Sequence, residues 1–211
     1  MTKIASKKST LERVIVYIDG FNLYFGMNEA GYARYKWLNL YLLSENLLKN
    51  DQILVEVKYF TSKITNNSKK EVRQKIYLEA LNEVGVRIYL GHYQKTNIKC
   101  FYCGNSWVSF NEKMTDVNIA TEMLNDAVND RYDMAMLISG DSDLLPPIKL
   151  IHKSYGDKRV FVAFPPRRSN YSIKENAKGS YIIGRKKIAD SQFSTIIHKK
   201  DGYVLTKPKE W

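Results

Sequence analysis

One pattern constrains this chain more than any other: short, continuous, β-branched apolar runs separated by longer stretches with helical periodicity. Val14-Ile15-Val16-Tyr17-Ile18 is the first run. It is apolar at every position, as a strand buried on both faces requires. Further strands are expected at Ile53 to Phe60, Val86 to Leu90, Met134 to Ile138 and Arg159 to Phe164. Helices are expected between them, over Trp37 to Lys49, Lys69 to Glu83, Asp116 to Ala127 and Asp143 to Ser154, the third with Ile119, Met123 and Ala127 on one face. This alternation implies βαβ units and a mainly parallel five-stranded sheet, with right-handed crossovers that place helices on both faces. Two segments break the rhythm. Residues 93–112 are polar and aromatic, carry Cys100 and Cys103, and read as an inserted hairpin. Residues 166–211 read as a basic C-terminal extension packed on or beside a domain of residues 12–165. An Asp201-Gly202 turn there, between Thr195-Ile196-Ile197 and Tyr203-Val204-Leu205, is a hairpin signal.

Charge divides the chain in the same place. The net charge of +11 comprises 19 basic and 17 acidic residues in 1–152, against 14 basic and 5 acidic in 153–211. A basic excess of this kind points to a polyanion such as nucleic acid, with a solubilising surface as the plain alternative. With 44% apolar and 26% charged residues, the composition is that of a globular protein rather than a disordered one. No apolar run approaches the roughly 18–20 residues of a bilayer span. Lys3, Lys7 and Lys8 precede an apolar run too short for a signal peptide. A cytoplasmic location is the resulting expectation, and two cysteines are too few for a disulfide framework.

The acids fall where a parallel sheet binds ligands, outside the carboxyl ends of its strands. Asp19 ends the first strand in Ile18-Asp19-Gly20-Phe21-Asn22, and Asp141 and Asp143 follow the fourth expected strand. In an open doubly wound order these two strands are neighbours. Asp116, which opens a helix, is a fourth candidate. Each acid taken singly is explained by a helix N-cap or first turn. Taken together they raise an electrostatic question, since two carboxylates ~4 Å apart repel by ~4 kcal/mol at an effective dielectric near 20. A divalent cation would relieve this, and oxygen donors without His or Cys favour Mg²⁺ or Mn²⁺.

Three segments, Asp19-Gly20-Phe21-Asn22-Leu23, Lys113-Met114-Thr115-Asp116-Val117-Asn118-Ile119-Ala120 and Ser139-Gly140-Asp141-Ser142-Asp143-Leu144 with Pro146-Pro147, resemble the NYN domain, a PIN-like nuclease group that includes LabA-like bacterial proteins. Ser191-Gln192-Phe193, Asp201-Gly202 and Pro208 to Trp211 resemble the LabA-like tail. The resemblance implies a three-layer α/β/α sandwich and metal-dependent ribonuclease activity. Asp19, Asp116, Asp141 and Asp143 would be metal-binding and catalytic, with Asn22 orienting water or phosphate. Ser139 and Thr115 match flanking polar positions, where they either touch substrate or hold the loop backbone.

Other features have weaker readings. Cys100 and Cys103 have zinc-knuckle spacing and His92 is a candidate third ligand, but no fourth is evident and two buried, reduced thiols are the favoured state. Phe21, Tyr24, Phe25, Tyr32, Tyr35 and Trp37 crowd the segment after Asp19. They are expected mostly in the core, with stacking on bases the alternative. Arg167, Arg168, Lys174, Lys178, Arg185, Lys186 and Lys187 are the candidate wall for an RNA backbone. The resulting expectation is a Mg²⁺- or Mn²⁺-dependent ribonuclease acting on single-stranded or structured RNA. The alternatives are a non-cutting RNA-binding or regulatory module and a DNA-directed nuclease. A homodimer is compatible with the sequence, which does not determine oligomeric state.

Overall fold

The computed structural model describes residues 11–65 and 67–211, so Lys3, Lys7 and Lys8 lie outside the described residues. Its centre is a seven-stranded sheet. β1 (Glu12–Asp19) lies between β2 (Gln52–Ser62) and β5 (Met134–Ile138). Beyond β2 come β3 (Arg87–Lys99) and β4 (Ser106–Lys113), and beyond β5 come β6 (Arg159–Phe164) and β7 (Ser180–Ile182). All adjacent pairs are parallel except β3 with β4. Tyr17 and Ile18 pair with Leu137 and Ile138, so the carboxyl ends of β1 and β5 finish side by side where the strand order reverses.

Continuous apolar runs make the central strands buried on both faces, and the alternating side chains divide into two cores. Val14, Val16 and Ile18 face α1 (Gly20–Glu29), α2 (Leu40–Leu47), α3 (Ser68–Glu83) and α7 (Arg185–Asp190). Ile15 and Tyr17 face α4 (Thr115–Val128), α5 (Leu145–Ser154) and α6 (Tyr171–Asn176). The second core contains a buried charge network. The Lys58 ammonium is fully buried, 2.5 Å from Asp126 and 2.7 Å from Glu122. Tyr17 donates to Asp126 at 2.6 Å, and Arg131 reaches both Asp126 and Glu56 at 3.0 Å. Burial alone would lower the Lys58 pKa, but its hydrogen bonds to Asp126 and Glu122 outweigh that and raise it.

The five expected strands are all present, and two more extend the sheet at its edges. The expected Cys-containing hairpin is present: β3 runs on from the sheet without a break, turns at 100–105 and returns as β4. At the other edge Ser180-Tyr181-Ile182 pairs with Val162-Ala163-Phe164, so the basic segment after residue 165 supplies a sheet strand. Its later part is strapped to the core. The Phe193 amide donates to the Trp37 carbonyl, the Trp37 indole donates to the Ser194 carbonyl, and β8 (Ile196–His198) and β9 (Val204–Thr206) form the hairpin anticipated around Asp201-Gly202.

Candidate active site at the carboxyl edge of the sheet

Asp19 ends β1 and caps α1, and it is 4% exposed. One carboxylate oxygen accepts from the Asn22 amide at 3.0 Å and the other from the Ser139 hydroxyl at 2.8 Å. Ser139 follows β5 directly and is fully buried. Its oxygen also accepts from the Asp141 amide at 3.1 Å, so one hydroxyl connects the acids of two neighbouring strands. Asn22 completes the connection by accepting from the Gly140 amide at 3.0 Å. Asp141 in turn caps the 3₁₀ turn Ser142–Leu144 by accepting from the Asp143 amide.

Asp116 lies in the first turn of α4, which packs against β1, β2, β3 and the turn that carries Asp143. The preceding residue, Thr115, is buried beside Gly91 and Ser62 at the end of the β2–β3 pairing. All four acids therefore stand at helix starts along one edge of the sheet, where the helix dipole and cap amides favour negative charge. Among the described residues, no three His, Cys, Asp or Glu side chains close into a ready-made metal cage. The all-oxygen donor set still fits Mg²⁺ or Mn²⁺, because Mg²⁺ is held by one or two carboxylates plus substrate phosphates and water rather than by an all-protein cage.

The other expected site residues divide. Ser139 and Thr115 are both buried, and Ser139 joins Asp19 to the Asp141 amide. Asn22 likewise fastens α1 to the Gly140 loop. Arg167 and Arg168 stand beside the acids. The turn Pro165–Arg168 packs so tightly on Gly140 that a Cβ there would lie 1.7 Å from the Arg168 carbonyl oxygen, and Gly26 in α1 meets the same turn. Arg167 is exposed with φ +62°, at a turn position usually held by Gly, and Arg168 pairs with Glu29. Arg185, Lys186 and Lys187 start α7, which packs against α2 on the α1 side of the sheet. There Arg185 donates to the Tyr35 hydroxyl and Lys187 to the Asn46 carbonyl. His92 pairs with Lys113 at the base of the β3–β4 hairpin, whereas Cys100 and Cys103 form its tip. At ~3.3 Å per residue the separation is roughly 26 Å. His92 is thus not a third ligand to the cysteine pair. The thiols are not buried as expected, because the tip projects past the helices that cover the sheet: Cys103 is exposed and Cys100 half-buried, and amide hydrogen bonds from Cys103 and Tyr102 lower the Cys100 pKa.

A cavity of about 430 Å³ adjoins this edge on the α1 side. Gly20 and Phe21, the residues next after Asp19, line it together with Tyr24 and Phe25 from α1, Tyr59 from β2 and Arg73 from α3. Trp37, by contrast, is fully buried, and Tyr32 and Tyr35 pack against the core as expected. Sequence reasoning missed the contribution of β2 and α3. The one local signal was Lys70, Arg73, Gln74 and Tyr77 spaced as one helical stripe.

The NYN domain family model matches residues 13–184. This chain belongs to the NYN domain family. Membership places it among PIN-like nucleases, and its mostly parallel sheet flanked by helices is the corresponding sandwich. A Pseudomonas putida protein named 6-hydroxy-3-succinoylpyridine 3-monooxygenase is 28% identical over 196 aligned positions, covering 76% of this chain and 62% of that protein. The NYN chain thus spans about three fifths of that relative's length. A solved structure of a protein of unknown function from Vibrio parahaemolyticus superimposes with a TM-score of 0.61, covering 85% of this chain and 97% of that one at 21% identity. That likeness concerns the fold.

Proposed function

We propose that this NYN protein is a divalent-metal-dependent nuclease that hydrolyses RNA phosphodiesters. The observation that carries the reading is the coupling of Asp19 to the Asp141 loop through Ser139, across the adjoining carboxyl ends of β1 and β5. Asp19, Asp116, Asp141 and Asp143 would hold Mg²⁺ or Mn²⁺. The chemistry such an ion supplies when bound is polarisation of a phosphodiester and acidification of water. The chain's own part is positional. Ser139, Asn22 and Gly140 fix the Asp19 carboxylate and the Asp141 loop against each other before substrate arrives, so little reorganisation is left for the reaction. Exposed Arg167, in the turn that packs on Gly140, would bind a phosphate.

A second reading follows from the relative's name, oxygenation of a hydroxypyridine acid, and the aromatic cavity beside Asp19 is the feature that favours it. One assay separates the two. Purified protein is incubated with labelled RNA or DNA, with Mn²⁺ or with EDTA, beside an Asp141→Asn/Asp143→Asn variant. Cleavage of RNA that needs Mn²⁺ and is abolished in the variant is the expected outcome. Cleavage in EDTA, or equal cleavage by the variant, overturns the mechanism. Tight binding without cleavage assigns a binding module, and cleavage of DNA alone changes the substrate.

A further inference from the structure

The cavity beside Asp19 combines three properties that core packing does not explain. Its rings are presented to solvent: Tyr24 is 41% and Phe25 48% exposed, although α1 has a buried side formed by Leu23 and Met27. Phe21 and Phe25 lie nearly parallel, with 22° between their planes and 6.2 Å between their centroids, and Tyr24 meets Phe25 edge-on. These rings offer flat faces at the mouth. Cations stand around them. Lys36 lies 4.8 Å over the Tyr24 ring, Lys70 is an exposed residue of the lining, and Arg73 is half-buried in it. Finally, the lining includes Gly20 and Phe21, the residues that directly follow Asp19 in the chain.

Rings with cations beside them suit a flat, polarisable group that carries negative charge. A volume of about 430 Å³ is within the range of small-ligand sites. The acidic Glu210, 3.6 Å from Arg73, shows that Arg73 is already engaged with a carboxylate, the kind of anion such a guanidinium attracts. Tyr59 keeps its proton in the cavity wall, since burial pushes its pKa up to about 12 and leaves a neutral hydroxyl.

We propose that this cavity is a base-binding subsite: it takes the nucleobase of a nucleotide flanking the cleaved bond, with Tyr24 and Phe25 stacking on the base and Lys70 and Arg73 attracting its phosphate. The assignment rests on the nuclease reading above and adds to it a place for one base. Stacking tolerates any base, because every base has a π-face, so sequence preference at this subsite is weak.

The test titrates the full chain with adenosine 5′-monophosphate in EDTA, followed by intrinsic fluorescence and by calorimetry. Tyr24→Ala and Phe25→Ala change exposed positions, and circular dichroism checks that each folds. Each should weaken binding by roughly 5- to 150-fold, the equivalent of the ~1–3 kcal/mol found for base stacking. Lys70→Gln should weaken the monophosphate but leave adenosine unchanged. No binding of the monophosphate, or unchanged affinity in both aromatic variants, overturns the subsite. So does tighter binding of a hydroxypyridine carboxylate, which would assign the cavity to free aromatic acids. RNA cleavage by the same samples keeps the two readings apart: cleavage without monophosphate binding overturns only the subsite, and variant-sensitive binding without cleavage overturns only the nuclease.

Discussion

The Ser139 hydroxyl donates to Asp19 and accepts from the Asp141 amide, and it does so out of contact with water. Removing it takes one hydrogen bond from the buried Asp19 carboxylate and one from the Asp141 backbone N–H. Ser139→Ala should therefore cost ~1–3 kcal/mol of stability, read from urea unfolding, because buried polar groups that lose a hydrogen bond bear a desolvation penalty. RNA cleavage should fall as well, since Asp19 and the Asp141 loop lose their common tie. A variant that cleaves at the parental rate would remove Ser139 from the proposed site. Gly140 makes a different demand. The Arg168 carbonyl oxygen occupies the space of a Cβ, so Gly140→Ala must push the Pro165–Arg168 turn away from the acid loop. Backbone is in the way, so the expected result is a drop in unfolding midpoint together with reduced cleavage. An unchanged midpoint would mean that the turn shifts without cost.

At the scale of elements, Lys58 is the central case, a charged residue in the middle of β2 with no exposed surface. It pins β2 to α4 through Asp126 and Glu122. Lys58→Ala removes the buried cation from Asp126 and Glu122, leaving Asp126 with Tyr17 and Arg131 alone, and should destabilise the fold by ~3 kcal/mol or more in urea titration. The joint change Lys58→Met/Asp126→Leu should recover most of that, because an apolar replacement of a buried pair is often neutral. Failure of the double variant to recover would show that Tyr17 and Arg131, which also bind Asp126, need its charge. The basic start of α7 gives a second test at this scale. Arg185 and Lys187 are engaged with Tyr35 and Asn46 rather than with the acid loops. If they nevertheless bind RNA backbone, neutralising Arg185, Lys186 and Lys187 should lower the salt slope of RNA affinity by ~0.7–0.9 for each phosphate they had neutralised. An unchanged slope assigns them to an ordinary solvated surface.

Elements also explain what could be read from the sequence. Val14 to Ile18 and Met134 to Ile138 were legible because a strand buried on both faces must be apolar throughout, and their neighbouring ends placed Asp19 beside the Asp141 loop. β7 was not legible: three residues, Ser180-Tyr181-Ile182, are too few for any periodicity to show, and it exists because β6 offers an edge. The local reading of each acid as a helix cap or first-turn residue was correct and did not exclude their gathering at one edge. The cavity was invisible because its wall joins residues 20–28, 59–64, 70–77 and 211, whose proximity only the folded sheet creates. His92 failed as a ligand for the opposite reason, since eight residues of strand carry it away from the cysteines it nearly adjoins in sequence.

For the molecule as a whole, His152 sits where α5, β6 and the tail meet. Its Nε2 accepts from the Val160 amide at 3.0 Å, while the Lys178 amide donates to the Val160 carbonyl and so ties the tail to the same residue of β6. Burial, and then the nearby Lys178 charge, lower the His152 pKa from its ordinary value of 6.5. Protonation would also destroy the acceptor that holds Val160. In the window below 6.5 the unfolded chain therefore binds more protons at this site than the folded one. By linkage, the contribution of His152 is complete above pH 6.5 and is lost as pH falls through the lowered folded value. A separate acid window belongs to Asp130 and Asp133. Hydrogen bonds from Lys158 and Arg13 to Asp130, and from Arg13 to Asp133, depress both carboxyls, so their contribution persists above ~4 and declines only below that. The urea midpoint of the parent should thus fall between about pH 7 and pH 5, before any carboxylate loss begins. His152→Gln keeps an acceptor for Val160 without a titrating proton, so its midpoint should stay level over that interval and decline only in the acid window. A parallel fall in parent and variant would trace the loss to other groups and leave the junction of α5, β6 and the tail insensitive to pH.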